Sequence, residues 1–195
     1  MSAGKKFLNT PLQESAYKFA RKHHKGQVRK GSPRPYITHC TEVARILNNF
    51  GYSEEIIVAG LLHDTVEDTE VTLEDLRREY GEEVSNLVKY VTETRTPGLS
   101  WTKRKVMYIK NLTDAPEGSV AVSAADKLHN VTEMLQDWLK VGDAVFLRFS
   151  EGKEKQKWFH RSLSEVYFVR GLFFENRSLL TMAQSINKVL GKMGM

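Results

Sequence analysis

His63 and Asp64 stand side by side in the stretch LLHDTVEDT, with Glu67 and Asp68 just after them, directly behind the apolar run IIVAGLL. An apolar run of this kind goes to the core, so four ionisable groups carried in with it need partners there. On a continuous helix His63 and Asp64 point about 100° apart and cannot bond each other face to face, yet both can reach one ion beyond the helix wall. Such an ion needs further ligands from other segments. His39 falls on the apolar side of its segment, one turn before Val43, and Asp126 follows VAVSAA, where an unpaired carboxylate is costly to bury. A set of His39, His63, Asp64 and Asp126 offers two nitrogens and two oxygens. It suits Mn²⁺, Fe²⁺, Co²⁺ or Zn²⁺ and can leave positions open for water or substrate, as a hydrolytic site requires.

Taken singly, each of these residues has a plainer reading. A histidine on an apolar helix face is usually a satisfied core residue, and an Asp at a helix start is usually an N-cap. Taken together, four groups of ligand type sit against apolar runs, and one metal answers all four. Glu67 and Asp68 follow one turn behind His63 and Asp64 and project near the same ion. Their spacing leaves two readings open: carboxylates that orient a water and manage its proton, or a solvated acidic helix end. Between residues 15 and 41 there is no acidic side chain, while Lys18, Arg21, Lys22, Lys25, Arg29, Lys30 and Arg34 accumulate. Much of that run reads as a solvated face. Arg29 and Lys30 differ because their Gly- and Pro-punctuated loop, GQVRKGSPRPYITH, leads to His39 and is placed to hold phosphates over the ion. Asn130, one turn after Asp126, can bond a ribose or base, and His129 can do the same or simply pack.

Helical signals dominate the elements that must position these groups. Thr10, Pro11 and Gln13 open a first helix, and a second is predicted from about Thr38 to Phe50 with Gly51 as its stop. Ser53 is the expected N-cap of one helix carrying EEIIVAGLLHDTVED. Thr72 and Asp75 make a capping box for a helix ending near Gly81, with Val84 to Val91 continuing in another. TRTPGLS breaks the pattern, which resumes at Trp101, stops around Pro116 and Gly118, and returns in VAVSAADKLHNVTEMLQDWLK. KWFHRSLSEVYFVRGLFF and SLLTMAQSINKVL supply two more helices. No strand alternation, repeat or low-complexity linker is visible. The expectation is an all-α bundle of about eight or more helices in a single domain over 1–195, with a motif-bearing core at about 10–140 and C-terminal helices at about 141–195 packed on it.

The net charge of +5 and pI near 9.2 suit a polyanionic ligand. No apolar stretch has the length of a membrane span, the N-terminus lacks a signal-like apolar region, and the lone Cys40 excludes an internal disulfide; a cytoplasmic protein is expected. Basic residues without interleaved aromatics weigh against nucleic acid as the partner. The oligomeric state is left open.

The segments RKGSPRPYITH, LLHDTVEDT and ADKLHN, spread over residues 18 to 135, together resemble the HD-domain metal-dependent phosphohydrolases, and among them the stand-alone alarmone (p)ppGpp hydrolases of the RelA/SpoT type. The resemblance implies an HD-type helical fold and an ion, usually Mn²⁺ with other divalent metals possible, held by His39, His63, Asp64 and Asp126. It implies catalytic roles for Glu67 and Asp68, and substrate contacts for Arg29, Lys30 and Asn130. The implied reaction is hydrolysis of a nucleotide's 3′-pyrophosphate, with water attacking the phosphorus next to the ribose 3′-oxygen. Where the family continues with Leu-Arg after ADKLHN, this chain has Val131 and Thr132, so a basic group near the substrate is missing. The base therefore stays open between guanine and adenine. The alternatives are an HD-domain phosphatase acting on another nucleotide such as NADPH, and a non-catalytic nucleotide- or RNA-binding module.

Overall fold

In the computed structural model, residues 8–93 and 97–195 are described, and part of the predicted break at TRTPGLS lies outside them. The elements are α1 (Pro11–His23), α2 (Ile37–Asn49), α3 (Glu54–Leu62), α4 (Thr65–Asp68), α5 (Leu73–Val91), α6 (Trp101–Thr113), α7 (Glu117–Val141), a 3-10 segment (Gly142–Arg148), α8 (Lys153–Phe173) and α9 (Arg177–Lys192). Among the described residues the only extended pairing is an isolated bridge between Val28 and Pro35. The chain is all-α, as expected. The 3-10 segment had no counterpart in the sequence reading.

Local chemistry explains the helix starts. Thr10 accepts from the Gln13 N–H (3.2 Å), and Thr72 and Asp75 form the reciprocal capping box (3.1 and 3.0 Å). The two halves of α5 meet at Gly81, whose φ of 86° only glycine adopts at low cost; this is the predicted break. Pro116 rather than Gly118 marks the start of α7.

The long α7 is the axis of the bundle and packs against α2, α3, α5, α8 and α9. Its first half buries Val120, Ala121, Val122, Ala124 and Ala125 completely. Small side chains there let neighbouring helices approach closely. The same logic brings α2 onto α3: a Cβ on Gly60 would fall 2.5 Å from Leu47 Cδ1 and 3.5 Å from the Ala44 Cα. Tyr108 from α6 and Tyr167 from α8 both bond the Ser123 hydroxyl of α7 (2.9 and 2.7 Å), so buried polar groups there are satisfied. No helix of the described residues is long and apolar enough to cross a membrane.

The main correction concerns LLHDTVEDT. One continuous helix was expected, but α3 ends at Leu62 and α4 begins at Thr65. The Gly60 carbonyl, which a continuing helix would pair with the Asp64 N–H, instead faces His63 Nδ1 (2.9 Å). The Leu62 carbonyl likewise accepts from the Thr65 hydroxyl (2.7 Å). Side chains have taken the carbonyls that would have continued the ladder. His63 and Asp64 thus sit at a break, and their side chains converge instead of splaying by a helical step.

Candidate metal centre and its cavity

Four side chains from three places in the fold meet behind this break. His39 comes from the first turn of α2, His63 and Asp64 from the α3–α4 junction, and Asp126 from the middle of α7. His39 Nε2 lies 3.2 Å from His63 Nε2, 3.2 Å from Asp126 Oδ1 and 3.5 Å from Asp64 Oδ2. His63 Nε2 is 3.0 Å from Asp64 Oδ2 and 3.9 Å from Asp126 Oδ1. His39, His63 and Asp126 meet the geometric requirement of a metal-binding group. All three are at least nine-tenths buried, so water does not solvate their charges.

The electrostatics fit a divalent cation. Burial would raise both carboxyls, but His63 and His39 beside Asp64, and Lys127 and His39 beside Asp126, hold both below the usual range, so both are ionised. Burial outweighs the pull of Asp126 on His39 and lowers it to about 4. Burial also opposes charge on His63, yet the Asp64 and Asp126 carboxylates prevail and raise it to about 9. One proton on His63 stands where a cation's charge would go. The outer ring nitrogens are held as ligands require: His63 Nδ1 bonds the Gly60 carbonyl, and His39 Nδ1 lies 2.7 Å from His129 Nδ1. His129 therefore sits behind a proposed ligand.

Tyr36 donates its hydroxyl to Asp64 Oδ2 (2.6 Å) and lies 3.3 Å from Asp68 Oδ2, joining the proposed ligand to the proposed catalytic pair. Glu67 Oε2 accepts from the Glu93 N–H (3.0 Å). Glu67 and Asp68 both line a small cavity of about 160 Å³ that also contains His39, Asp64 and Asp126. This pocket adjoins a larger one of about 570 Å³, the two sharing Tyr36, Asp68, Lys105, Lys127, Asn130 and Phe159. That volume is in the range of small-molecule sites.

Arg29 and Lys30 line the larger cavity as expected. Arg29 is clamped, donating to Glu133 Oε2 through Nε (3.0 Å) and Nη2 (2.8 Å) and to Asn130 Oδ1 (2.6 Å). Asn130 Nδ2 in turn donates to Asp126 Oδ1 (2.5 Å), so this amide ties the basic loop to the metal centre as well as lining the cavity. Lys18, Arg21, Lys22 and Lys25 do not line the cavity.

Sequence reasoning missed several wall residues. Lys127 donates to Asp126 Oδ2 (2.5 Å), and Lys105 pairs with Glu93. Arg34, Arg148, Phe149, Phe159 and His160 complete the larger cavity. Thr132, the departure from the family pattern, turns its hydroxyl back to the Leu128 carbonyl (2.7 Å), while Arg34 and Arg148 bring positive charge to the cavity from elsewhere. Six cationic side chains face three carboxylates around this space, which suits a polyphosphorylated ligand.

An all-helical bundle that gathers a His-Asp pair, a second histidine and a second aspartate has the character of an HD domain. The HD-domain family profile matches residues 16–141, and the chain belongs to that family. A human relative, guanosine-3′,5′-bis(diphosphate) 3′-pyrophosphohydrolase MESH1, is 38% identical over 125 residues, which is 63% of this chain and 69% of that protein. A GTP pyrophosphokinase of Streptomyces coelicolor is 43% identical over 126 residues, 62% of this chain but only 14% of that much longer protein. Among solved structures, a metazoan ortholog of SpoT described as hydrolyzing ppGpp superposes with a TM-score of 0.73 at 25% identity, covering 92% of this chain and 96% of that one. A Listeria monocytogenes protein gives 0.66 at 36% identity, covering 80% and 96%.

Proposed function

We propose that this protein hydrolyses the 3′-pyrophosphate of a guanosine or adenosine alarmone, (p)ppGpp or (p)ppApp, releasing pyrophosphate. The observation that carries the reading is the convergence of His39, His63, Asp64 and Asp126 at a small pocket that adjoins a cavity walled by six cationic side chains. The names of the human relative and of the metazoan structure support the same reaction.

His39, His63, Asp64 and Asp126 would hold the cation, for which we propose Mn²⁺, since a mixed nitrogen and oxygen set suits it. When bound, the ion supplies Lewis-acid charge that stabilises phosphoryl oxygens and acidifies a nucleophilic water. Glu67 and Asp68 line the small cavity, where they orient that water and accept its proton. Arg29 and Lys30 hold the nucleotide's phosphates, and Asn130 keeps Arg29 in register with Asp126 while facing the substrate. Tyr36 orients the Asp64 carboxylate through its 2.6 Å bond. One hydrophobic cluster running from Leu8 to Met195 supports a single HD-type unit with the C-terminal helices packed on its core. The buried free thiol of Cys40 suits a cytoplasmic setting.

The test is incubation of Mn²⁺-loaded protein with ppGpp, ppApp and NADPH, followed by product identification. Pyrophosphate and the 5′-phosphorylated nucleoside are expected from an alarmone. Release of no pyrophosphate from either alarmone would overturn the reading.

A further inference from the structure

His160, in the first half of α8, is 5% exposed, and among the described residues neither ring nitrogen has a hydrogen-bond partner; Nδ1 is fully enclosed. Nε2 is not enclosed and is the ring nitrogen left to meet a ligand. The ring lines the larger cavity, and it lies outside the part of the chain that matches the family.

Its surroundings say what it would meet. The His160 ring is 5.5 Å from that of Phe159. Lys105 Nζ lies 4.7 Å and Lys127 Nζ 5.9 Å from the centroid of the same Phe159 ring. Lys105, Lys127 and Phe159 line both the metal pocket and the larger cavity, whereas His160 lines only the larger one. The imidazole therefore opens onto the larger cavity and not the metal pocket, next to the Phe159 ring that both ammonium groups approach. Burial and the Lys127 charge hold it at about 3, so it is neutral. A neutral imidazole carries one N–H. With Nδ1 sealed from the cavity, the tautomer protonated at Nε2 leaves the buried lone pair inside and offers a donor to a ligand. Lys105 and Lys127 are paired with Glu93 and Asp126, yet the cavity this donor opens onto is lined by six cationic side chains against three carboxylates, and a further donor there suits an anion.

We propose that His160, with Lys105 and Lys127, holds the outer phosphate of a 3′-pyrophosphate, one P–O–P bridge beyond the phosphate at the metal pocket, and so selects pyrophosphate esters over monophosphate esters. This assignment rests on the proposed function above. It makes His160 a specificity residue contributed by the C-terminal helices, and no metal ligand.

The test compares His160→Leu and His160→Gln with the parent protein, all loaded with Mn²⁺. Calorimetry measures binding of inorganic pyrophosphate and of inorganic phosphate, and thermal melting is followed without either anion. His160→Leu should bind pyrophosphate about 10-fold or more weakly, the worth of a charge-assisted hydrogen bond, with phosphate affinity and metal content unchanged. Its melting temperature should stay level or rise, because an unpaired polar group has been replaced by an apolar one. His160→Gln, whose amide nitrogen reaches near the Nε2 position, should recover part of the lost affinity. Unchanged pyrophosphate affinity in His160→Leu, or an equal loss for both anions, overturns the assignment, as does a lower melting temperature without selective loss. A parent protein that cleaves no alarmone while these binding differences hold would overturn the proposed reaction and leave the anion subsite standing.

Discussion

Replacing His129 by Phe tests how the centre is held, because His129 lines neither cavity and reaches the centre through His39. To offer Nε2 to a cation, His39 must carry its proton on Nδ1, which then donates to His129 Nδ1 at 2.7 Å. Burial lowers the pKa of His129, which keeps it neutral and able to accept. Without the cation, His39 has a second choice: it can place the proton on Nε2 and donate to Asp126 Oδ1 at 3.2 Å. In His129→Phe the metal-free protein takes that second tautomer and loses little. The metal-bound form must instead leave an N–H unpaired at a residue that is 1% exposed. An orphaned buried donor costs about 1–3 kcal/mol, and loss of such an outer partner typically weakens metal affinity about 10- to 100-fold. The assay is calorimetric titration with Mn²⁺, beside thermal unfolding of the metal-free protein. The expected pattern is a 10- to 100-fold affinity loss with a nearly unchanged metal-free melting temperature. His129→Asn, which returns an acceptor oxygen near the Nδ1 position, should recover much of the affinity. Parent-like Mn²⁺ affinity in His129→Phe, or no difference between Phe and Asn, refutes the tautomer reasoning.

Asp64→Ala should abolish both Mn²⁺ binding and turnover, whereas Glu67→Gln should keep the ion and lose about 10²- to 10⁴-fold in rate; full activity in Glu67→Gln removes its catalytic role. Gly60→Ala drives a methyl to 2.5 Å from Leu47 Cδ1 in a fully buried α2–α3 contact, so urea unfolding should show about 1–3 kcal/mol of lost stability, and Mn²⁺ affinity should fall as His39 and His63 are pushed apart. Burial opposes ionisation of Glu133, but the Arg29 guanidinium bonded to it, with Arg34 beside it, holds its carboxyl below the ordinary glutamate value. With the folded value depressed, its stabilisation is present above the ordinary glutamate pKa and is lost as pH falls through the folded one. Urea midpoints of the parent should therefore drop between neutral pH and about pH 3 by more than those of Glu133→Gln; equal drops would show that Glu133 carries no part of the acid sensitivity.

What could be read from the chain follows from what burial penalises. His39, His63 and Asp126 stood out because ionisable groups inside apolar runs demand partners, and the fold supplies those partners in one place. The helices were legible for a similar reason, since capping residues and apolar spacing act within a few positions: the Thr72–Asp75 box and the break at Gly81 both appear where expected. The end of α3 at Leu62 was hidden because it depends on His63 and Thr65 taking the Gly60 and Leu62 carbonyls, a competition that no hydrophobic period records.

The cavity wall was hidden for a different reason. Lys105, Lys127 and Arg148 are distant in sequence, and a lysine beside a carboxylate reads as a solvated pair until packing encloses it. Lys127 is enclosed because α6 and α8 close over it, its ammonium lying 5.3 Å from the Tyr108 ring and 5.9 Å from that of Phe159. His160 did carry a usable signal. Gln156, Phe159, His160, Leu163, Ser164 and Tyr167 recur at helical spacing and are all buried, which puts a histidine on the inner stripe of α8. The burial test that singled out His39 applies to it equally, but here no described residue gives the ring nitrogens a hydrogen bond. An imidazole on that stripe whose open nitrogen meets a cavity is placed to bind a ligand there. That is why the C-terminal helices, outside the family match, are where substrate selection is to be sought.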